Sequence, residues 1–293
     1  MPRTDPYAAP SSSRDVDARL ARSSRPDFDL SIYLVTDTDQ CGGPDGVVRT
    51  VREAVGAGAT LVQLRDHHLA DPDFVALGRQ LVGVLAPTGV PLLIDDRVHL
   101  VAPIGAQGAH VGQNDMPIDQ ARAMLGPNAI LGLSTQEPSH VSAARALGDE
   151  LVDYLGVGAL HSTGTKPEAG DLGMSIVESV VAVSPWPVCA IGGVKAADAE
   201  PLAAIGCRGM SVVSAICGQD DVPAATGILV DAWAAAIRRH PAPRESPGDG
   251  RGPRHQLPDD HAEHHPGTSK STRRVSARQN ARRQQPSDPI PGA

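Results

Sequence analysis

The chain has 293 residues, with 26 Lys and Arg against 34 Asp and Glu, a formal net charge of −8. Between residues 29 and 240 the imbalance is sharper, twelve basic against twenty-four acidic residues, which argues against nucleic acid as a partner of that region. The sequence carries no signal-peptide core and no run of eighteen apolar residues, and its four cysteines (Cys41, Cys189, Cys207 and Cys217) lack paired or metal-ligand spacing, so no membrane, a reducing cytoplasm and buried free thiols are expected.

Residues 1–28, rich in Arg, Ser, Pro and Asp, have no apolar period; residues 241–293 are Pro, Gly, His, Arg and Gln with almost no large apolar side chain. Neither can bury enough surface to offset ordering entropy, so both are expected to be disordered tails. The region between them, 29–240, is roughly the size of a small single α/β barrel.

In chain order, Ile32 to Asp37 predicts a first strand and Asp45 to Ala57 a helix with Val47, Val48, Val51, Ala54 and Val55 on one face. Leu61 to Arg65 is a second strand, followed by a helix over Pro72 to Leu85. Pro91 to Asp95 is a third, followed by a short helix from Val98 to Ile104; Gly108 to Val111 is a fourth, followed by a helix at Pro117 to Leu125. Ala129 to Leu133 is a fifth strand ending at Ser134, with a helix at Pro138 to Leu147. Tyr154 to Val157 is a sixth, followed by a long polar loop from His161 to Gly173 and a helix at Ser175 to Val183. Val188 to Ile191 runs into Gly192-Gly193 before a helix at Ala197 to Ile205. Gly209 to Val213 ends at Ser214, and Val222 to His240 is the last helix. Strict strand–helix alternation forces parallel strands with right-handed crossovers, and eight such units close most simply into a single (β/α)8 TIM barrel, an open doubly wound sheet being the alternative.

In a barrel, every polar group just after a strand sits on one rim. Here these are Asp37, Gln63, Arg65, His67, Asp95, Asp96, Asp115, Ser134, Thr163, Thr165, Lys166, Gly192, Gly193 and Ser214. Val62-Gln63-Leu64-Arg65-Asp66-His67 and Leu92-Leu93-Ile94-Asp95-Asp96-Arg97 are apolar runs that end abruptly in charge. Arg65 offers a fork of donors suited to phosphate, and Asp95 and Asp96 are hard oxygen ligands suited to magnesium. Asp96 and Asp115 follow adjacent strands and could share one magnesium ion, although Asp115 also has the spacing of a helix cap. Gly192-Gly193 with Val213-Ser214 occupies the strand seven–eight position where barrels often hold a phosphate on backbone N–H groups. Thr163-Gly164-Thr165-Lys166 places two hydroxyls and an ammonium on a long loop without Walker spacing. His67-His68 has no second core histidine pair to make a zinc site, and no Ser-His-Asp or nucleophilic Cys arrangement is arguable.

Together, Ile-Tyr-Leu-Val-Thr-Asp at 32–37, Val-Gln-Leu-Arg at 62–65, Leu-Leu-Ile-Asp-Asp-Arg-Val at 92–98, His-Val-Gly-Gln-Asn-Asp at 110–115, Leu-Gly-Leu-Ser at 131–134, Thr-Gly-Thr-Lys at 163–166, Ala-Ile-Gly-Gly-Val at 190–194 and Val-Val-Ser-Ala-Ile at 212–216 resemble the thiamine phosphate synthase family. The resemblance implies a magnesium-dependent transferase. It would join 4-amino-2-methyl-5-(diphosphomethyl)pyrimidine to a thiazole phosphate, or to its carboxylated form, and release diphosphate. It further implies that Gln63, Arg65, Asp66, His67 and Asp95 meet the pyrimidine diphosphate and that Asp96 and Asp115 bind magnesium. Ser134 would contact the pyrimidine, Thr163 and Thr165 the thiazole phosphate, and Lys166 the diphosphate, with Gly193, Val213 and Ser214 holding the thiazole phosphate. Arg65, Lys166 and Ser134 would carry the catalysis.

The family commonly has Lys at position 67, often Asn at 95, and Pro or Ala where Ser162 stands here. The expected partners are small molecules, with homo-oligomerisation also compatible. A thiazole tautomerase-like protein is one alternative, and it would lose the metal-diphosphate end that Arg65, Asp96, Asp115 and Lys166 retain; a non-catalytic phosphate-binding barrel is another, and it would bind phosphate without magnesium dependence or turnover.

Overall fold

The computed structural model describes residues 25–161 and 173–241. Short apolar runs form the strands: β1 (Ile32–Val35), β2 (Leu61–Leu64), β3 (Leu92–Asp95), β4 (Gly108–Val111), β5 (Ile130–Thr135), β6 (Tyr154–Val157), β7 (Val188–Ala190) and β8 (Gly209–Val212). Each pairs in parallel with the next, and β8 returns to β1 with Ser211 opposite Tyr33. The sheet therefore closes into an eight-stranded barrel rather than an open doubly wound sheet.

The intervening helices are α1 (Pro44–Gly56), α2 (Asp71–Leu85), α3 (Val101–Ile104), α4 (Ile118–Leu125), α5 (Pro138–Leu147), α6 (Gly173–Val183), α7 (Ala199–Ala204) and α8 (Val222–Arg239). Proline in the first turn starts α1, α2, α5 and α8, where its missing N–H removes no intrahelical bond. The Asp221 carboxylate caps α8 by accepting from Ala224 N at 2.9 Å. Two expected helices are shorter than their sequence pattern. Val98–Leu100 and Ala196–Asp198 wind as 3-10 turns before α3 and α7, the second because the Asp198 carboxylate accepts from Lys195 N at 2.8 Å and holds the tighter turn.

Strand alternation divides the core in two. Ile32, Leu34, Val62, Leu64, Leu92, Ile94, Leu131, Leu155 and Val212 point outward into the large layer shared with the helices. Tyr33, Val35, Leu61, Leu93, Ile130, Tyr154 and Cys189 form a second, smaller cluster inside the barrel. That inner plug closes the barrel, so the space above it opens only toward the C-terminal strand ends.

At the N-terminal end, Arg122 and Arg25 converge on Asp153. Arg122 donates to Asp153 Oδ2 at 2.8 Å and to the carbonyls of Leu151, Gly126 and Ala129, while Arg25 bonds the other carboxylate oxygen and the carbonyls of Pro127 and Glu150. Phe28 packs on Tyr154, with ring centroids 5.8 Å apart. Apart from Arg25 to Phe28 and Pro241, the two expected tails lie outside the described residues, as does the loop carrying Thr163, Thr165 and Lys166. No helix among the described residues is long and apolar enough to cross a membrane.

Candidate active site

The C-terminal strand ends surround a cavity of about 380 Å³. Gln63, Arg65, Asp95, Asp96, Asp115, Ser134, Gly193, Val213 and Ser214 all line it. Residues drawn from six strands, spread over 150 positions of sequence, thus meet around one space.

Arg65 continues the inward phase of β2 two residues beyond Gln63. Its guanidinium lies between two carboxylates, Nε 3.6 Å from Asp95 Oδ2 and Nη1 4.0 Å from Asp37 Oδ2, with its side chain 11% exposed. The backbone beneath is fixed by Thr36, whose hydroxyl oxygen accepts from Arg65 N at 3.1 Å. Asp95, which stands where a neutral amide was expected from the family, is therefore paired with the cation beside it.

Asp96 has φ 54°, the one left-handed non-glycine residue among those described. Aspartate tolerates this conformation better than most residues, yet it still costs about 1 kcal/mol, and such outliers gather at functional sites. Its N–H donates to His110 O at 2.9 Å, tying the end of β3 to β4. The adjacent Arg97 turns toward α2, donating to Leu69 O and Asp66 O and lying 4.6 Å over the Phe74 ring. Asp115 does not cap α4; its carboxylate accepts from Gly112 N at 2.9 Å and folds back on its own loop. A side chain at Gly112 would meet that carboxylate at 2.6 Å, so a substitution there would displace the Asp115 carboxylate. Among the described residues no three His, Cys, Asp or Glu side chains gather tightly enough to hold a metal by themselves.

Gly192 and Gly193 have φ 90° and 67°. A Cβ on Gly192 would lie 2.6 Å from Ala159 Cα, so neither its conformation nor its surroundings admit a side chain. Opposite, Val213 O accepts from Cys217 N at 2.8 Å and from Ile216 N at 3.0 Å, a turn that presents Ser214.

Two expected contacts do not reach the cavity wall. His67 is exposed on the loop after β2. The Asp66 carboxylate accepts from His68 N at 2.7 Å and from Leu69 N, shaping that loop; burial raises its pKa, but the Thr38 hydroxyl beside it and these bonds outweigh burial and leave the group below its ordinary value.

The barrel floor holds a chain of hydrogen bonds that motif reading passed over. Gln63 Nε2 donates to Tyr33 Oη at 2.8 Å, Tyr33 and Tyr154 hydroxyls meet at 2.8 Å, Tyr154 Oη meets His110 Nδ1 at 2.8 Å, and His110 Nε2 meets Ser134 Oγ at 2.9 Å. Gln63 supplies a hydrogen to Tyr33, so the arrangement that partners every N–H and O–H runs from Gln63 to Ser134. It leaves Gln63 Oε1 as an acceptor and the Ser134 hydroxyl as a donor at the two ends. Burial pushes both phenols well above their ordinary pKa, so the two tyrosines stay protonated and neutral. Thr135 and Ser211 also line the cavity; both are 1% exposed, and their hydroxyl oxygens have no hydrogen-bond partner among the described residues. Buried hydroxyls of this kind mark places where a bound molecule or water completes the bonding. The period-2 phase of each strand, once a barrel is assumed, would have found Tyr33, His110, Tyr154 and Ser211.

The family model described as thiamine monophosphate synthase matches residues 32–216. The chain belongs to the thiamine monophosphate synthase family. It is accordingly an enzyme of the transferase class. A thiamine-phosphate synthase from Azorhizobium caulinodans is 45% identical over 206 residues, covering 69% of this chain and 94% of the relative. One from Xanthobacter autotrophicus is 43% identical over 210 residues, covering 71% of this chain and 98% of the relative. A solved structure of thiamine phosphate pyrophosphorylase from Pyrococcus furiosus superposes with a TM-score of 0.64 at 30% identity, covering 71% of this chain and 97% of that one. The family match runs from β1 to just past β8 and so includes every rim segment described above.

Proposed function

We propose that the protein condenses 4-amino-2-methyl-5-(diphosphomethyl)pyrimidine with 4-methyl-5-(2-phosphoethyl)thiazole, or its carboxylated form, to give thiamine phosphate and diphosphate. The observation that carries this reading is that Arg65, Asp96 and Asp115 share one cavity with Gly193 and Ser214 in a chain of this family. A cation and two hard-oxygen ligands suit a metal diphosphate, and the glycine pair suits a second anion across the mouth.

Asp96 and Asp115 fit magnesium, an ion that commonly takes one or two carboxylates and completes its shell with waters and substrate phosphate oxygens. When bound there, the ion supplies neutralising charge to the diphosphate. Arg65 adds a preorganised cation at the same leaving group, held in place between Asp37 and Asp95. The aminopyrimidine ring is electron-rich, so the methylene carbon can shed diphosphate to a stabilised cation without a protein nucleophile. Gln63 Oε1 accepts from the exocyclic amine and the Ser134 hydroxyl donates to a ring nitrogen, the polarity that the buried relay sets. Gly193, Val213 and Ser214 hold the thiazole phosphate so that the ring nitrogen faces the carbon, and the inner plug of the barrel keeps water from the cation on the floor side. His67 adds positive charge from the loop beside that site, and Asp66 acts through the shape of that loop. Thr163, Thr165 and Lys166, outside the described residues, complete the two anion sites.

The test incubates the purified protein with both substrates, with and without magnesium, and reads thiamine phosphate as its oxidised fluorescent product. Magnesium-dependent product is expected with one of the two thiazole forms. No product with either form in the presence of magnesium would remove this reading.

A further inference from the structure

The segment that follows β7 is tied at both ends to one residue. Gly192 and Gly193 both lie in the left-handed region, and a glycine pair has little conformational bias of its own, so its shape is fixed from outside. At the start of the segment, Leu160 N donates to Ile191 O at 2.8 Å and His161 N to Gly192 O at 3.0 Å. At its end, Asp198 Oδ2 accepts from Lys195 N at 2.8 Å, and Asp198 Oδ1 meets His161 Nε2 at 3.0 Å. His161 thus holds the first peptide of the segment with its backbone and the last with its ring, through Asp198. The ring is 45% exposed and does not line the cavity, and no step of the condensation argued above uses it.

We propose that His161 and Asp198 are a positioning pair for the thiazole phosphate, a bracket that sets the backbone from Gly192 to Lys195 before the anion arrives. This rests on the assignment of Gly193 to that phosphate. The carbonyl and the next N–H of a trans peptide point in opposite directions, so holding Gly192 O against the segment after β6 also fixes the direction of Gly193 N–H. Among the described residues that N–H has no hydrogen-bond partner, which leaves it for an anion. Ordering a glycine pair at the moment of binding weakens affinity, and a loop already held in its bound shape avoids that loss. Asp198 is the inner member of the pair, at 14% exposure, and each of its oxygens has a donor.

A brace that only supported the fold would act on both substrates or on neither. The pyrimidine diphosphate is assigned to Gln63, Arg65 and Ser134, at β2 and β5, and no bond of the bracket touches them. Loss of the bracket therefore falls on one KM. The bond from His161 N to Gly192 O survives any change of side chain at 161, so His161→Ala loosens only the far end of the segment.

Full-length protein is compared with its His161→Ala, His161→Gln, Asp198→Ala and doubly alanine-substituted forms, in magnesium, varying each substrate in turn and using the thiazole form that the parent consumes. His161→Ala is expected to raise KM for the thiazole phosphate about fivefold, with kcat and KM for the pyrimidine diphosphate within about twofold of the parent. His161→Gln, which keeps an N–H donor at similar reach, returns that KM to within about twofold of the parent. The double substitution is no worse than Asp198→Ala, because His161 acts through Asp198. The changes at His161 fall on a half-exposed side chain, so those two variants fold and decide the matter even if Asp198→Ala does not. An unchanged KM for the thiazole phosphate in His161→Ala, equal rises in both KM values, a Gln variant as impaired as the Ala variant, or losses that add in the double substitution would each overturn the proposal. Parent protein that makes no thiamine phosphate refutes the functional reading and the bracket's role with it, whereas an active parent with unaffected variants overturns the bracket alone.

Discussion

Asp96 combines backbone strain with a position on the cavity wall, and the substitution that tests it must keep the first while removing the second. Asparagine does so, because its short polar side chain tolerates the left-handed region about as well as aspartate does. Asp96→Asn should therefore melt within about 0.5 kcal/mol of the parent while magnesium-dependent turnover falls by about 10²-fold or more. Asp115→Asn should lose turnover similarly but melt somewhat lower, because an amide oxygen accepts from Gly112 N less strongly than the carboxylate does. Calorimetry should find thiazole phosphate bound with unchanged affinity in both; full turnover in both would remove the metal assignment. Tyr154 carries a different argument. Its hydroxyl bonds both Tyr33 and His110, so Tyr154→Phe leaves two buried groups each short of a partner, at about 1–3 kcal/mol. It also cuts the line that sets the polarity of Ser134, so kcat/KM for the pyrimidine diphosphate should fall about tenfold while KM for the thiazole phosphate holds. Equal losses for both substrates would reduce the relay to a packing device.

Among the elements, β4, β5 and β6 show how small residues make room for large ones. Gly132 and Gly156 face inward, and a Cβ on Gly132 would stand 2.3 Å from Tyr154 Oη and 2.4 Å from His110 Nδ1. Backbone and ring cannot both stay in place, so Gly132→Ala should destabilise by about 1–3 kcal/mol and lower activity with the pyrimidine diphosphate, measured by thermal melting and steady-state kinetics. Gly227 on α8 has open space around it, so Gly227→Ala should stabilise by up to about 1 kcal/mol; if both changes had the same effect, crowding would not be the cause. The strands themselves were readable from sequence because each is an apolar run between turn residues, and the rim followed from the barrel rule alone. The relay was not read, because Tyr33 and Tyr154 look like ordinary core aromatics until strand phase turns them inward, and His110 sits inside a motif whose charged end draws attention. The local role of Asp66 was not legible either, because β2 alternation points Arg65 inward and leaves the Asp66 carboxylate to bond its own loop, which only the folded loop shows.

For the molecule as a whole, the boundary of the folded unit is set by a buried charge. Asp153 has 7% of its side chain exposed; it accepts from Arg122 and from Leu131 N at 2.8 Å, and its other oxygen is held by Arg25. Sequence composition ended the N-terminal tail at residue 28, yet Arg25 and Phe28 pack against the barrel floor, since one arginine among polar neighbours carries no periodic signal. A chain trimmed to 25–241 should keep the melting temperature and kcat/KM of the full chain. A chain trimmed to 29–240 loses the Arg25 fork and the Phe28 cover of Tyr154. Arg122 remains to neutralise Asp153, so the loss is set at about 1–3 kcal/mol, below the cost of stripping a buried ion of every partner. For a domain of this length that lowers Tm by roughly 2–10 °C, read by scanning calorimetry, with turnover at 25 °C preserved because neither Arg25 nor Phe28 lines the cavity. Identical melting of the two trimmed chains would show the bracket inert. Loss of turnover in the longer one would assign the remaining segments a part in catalysis that no described residue provides.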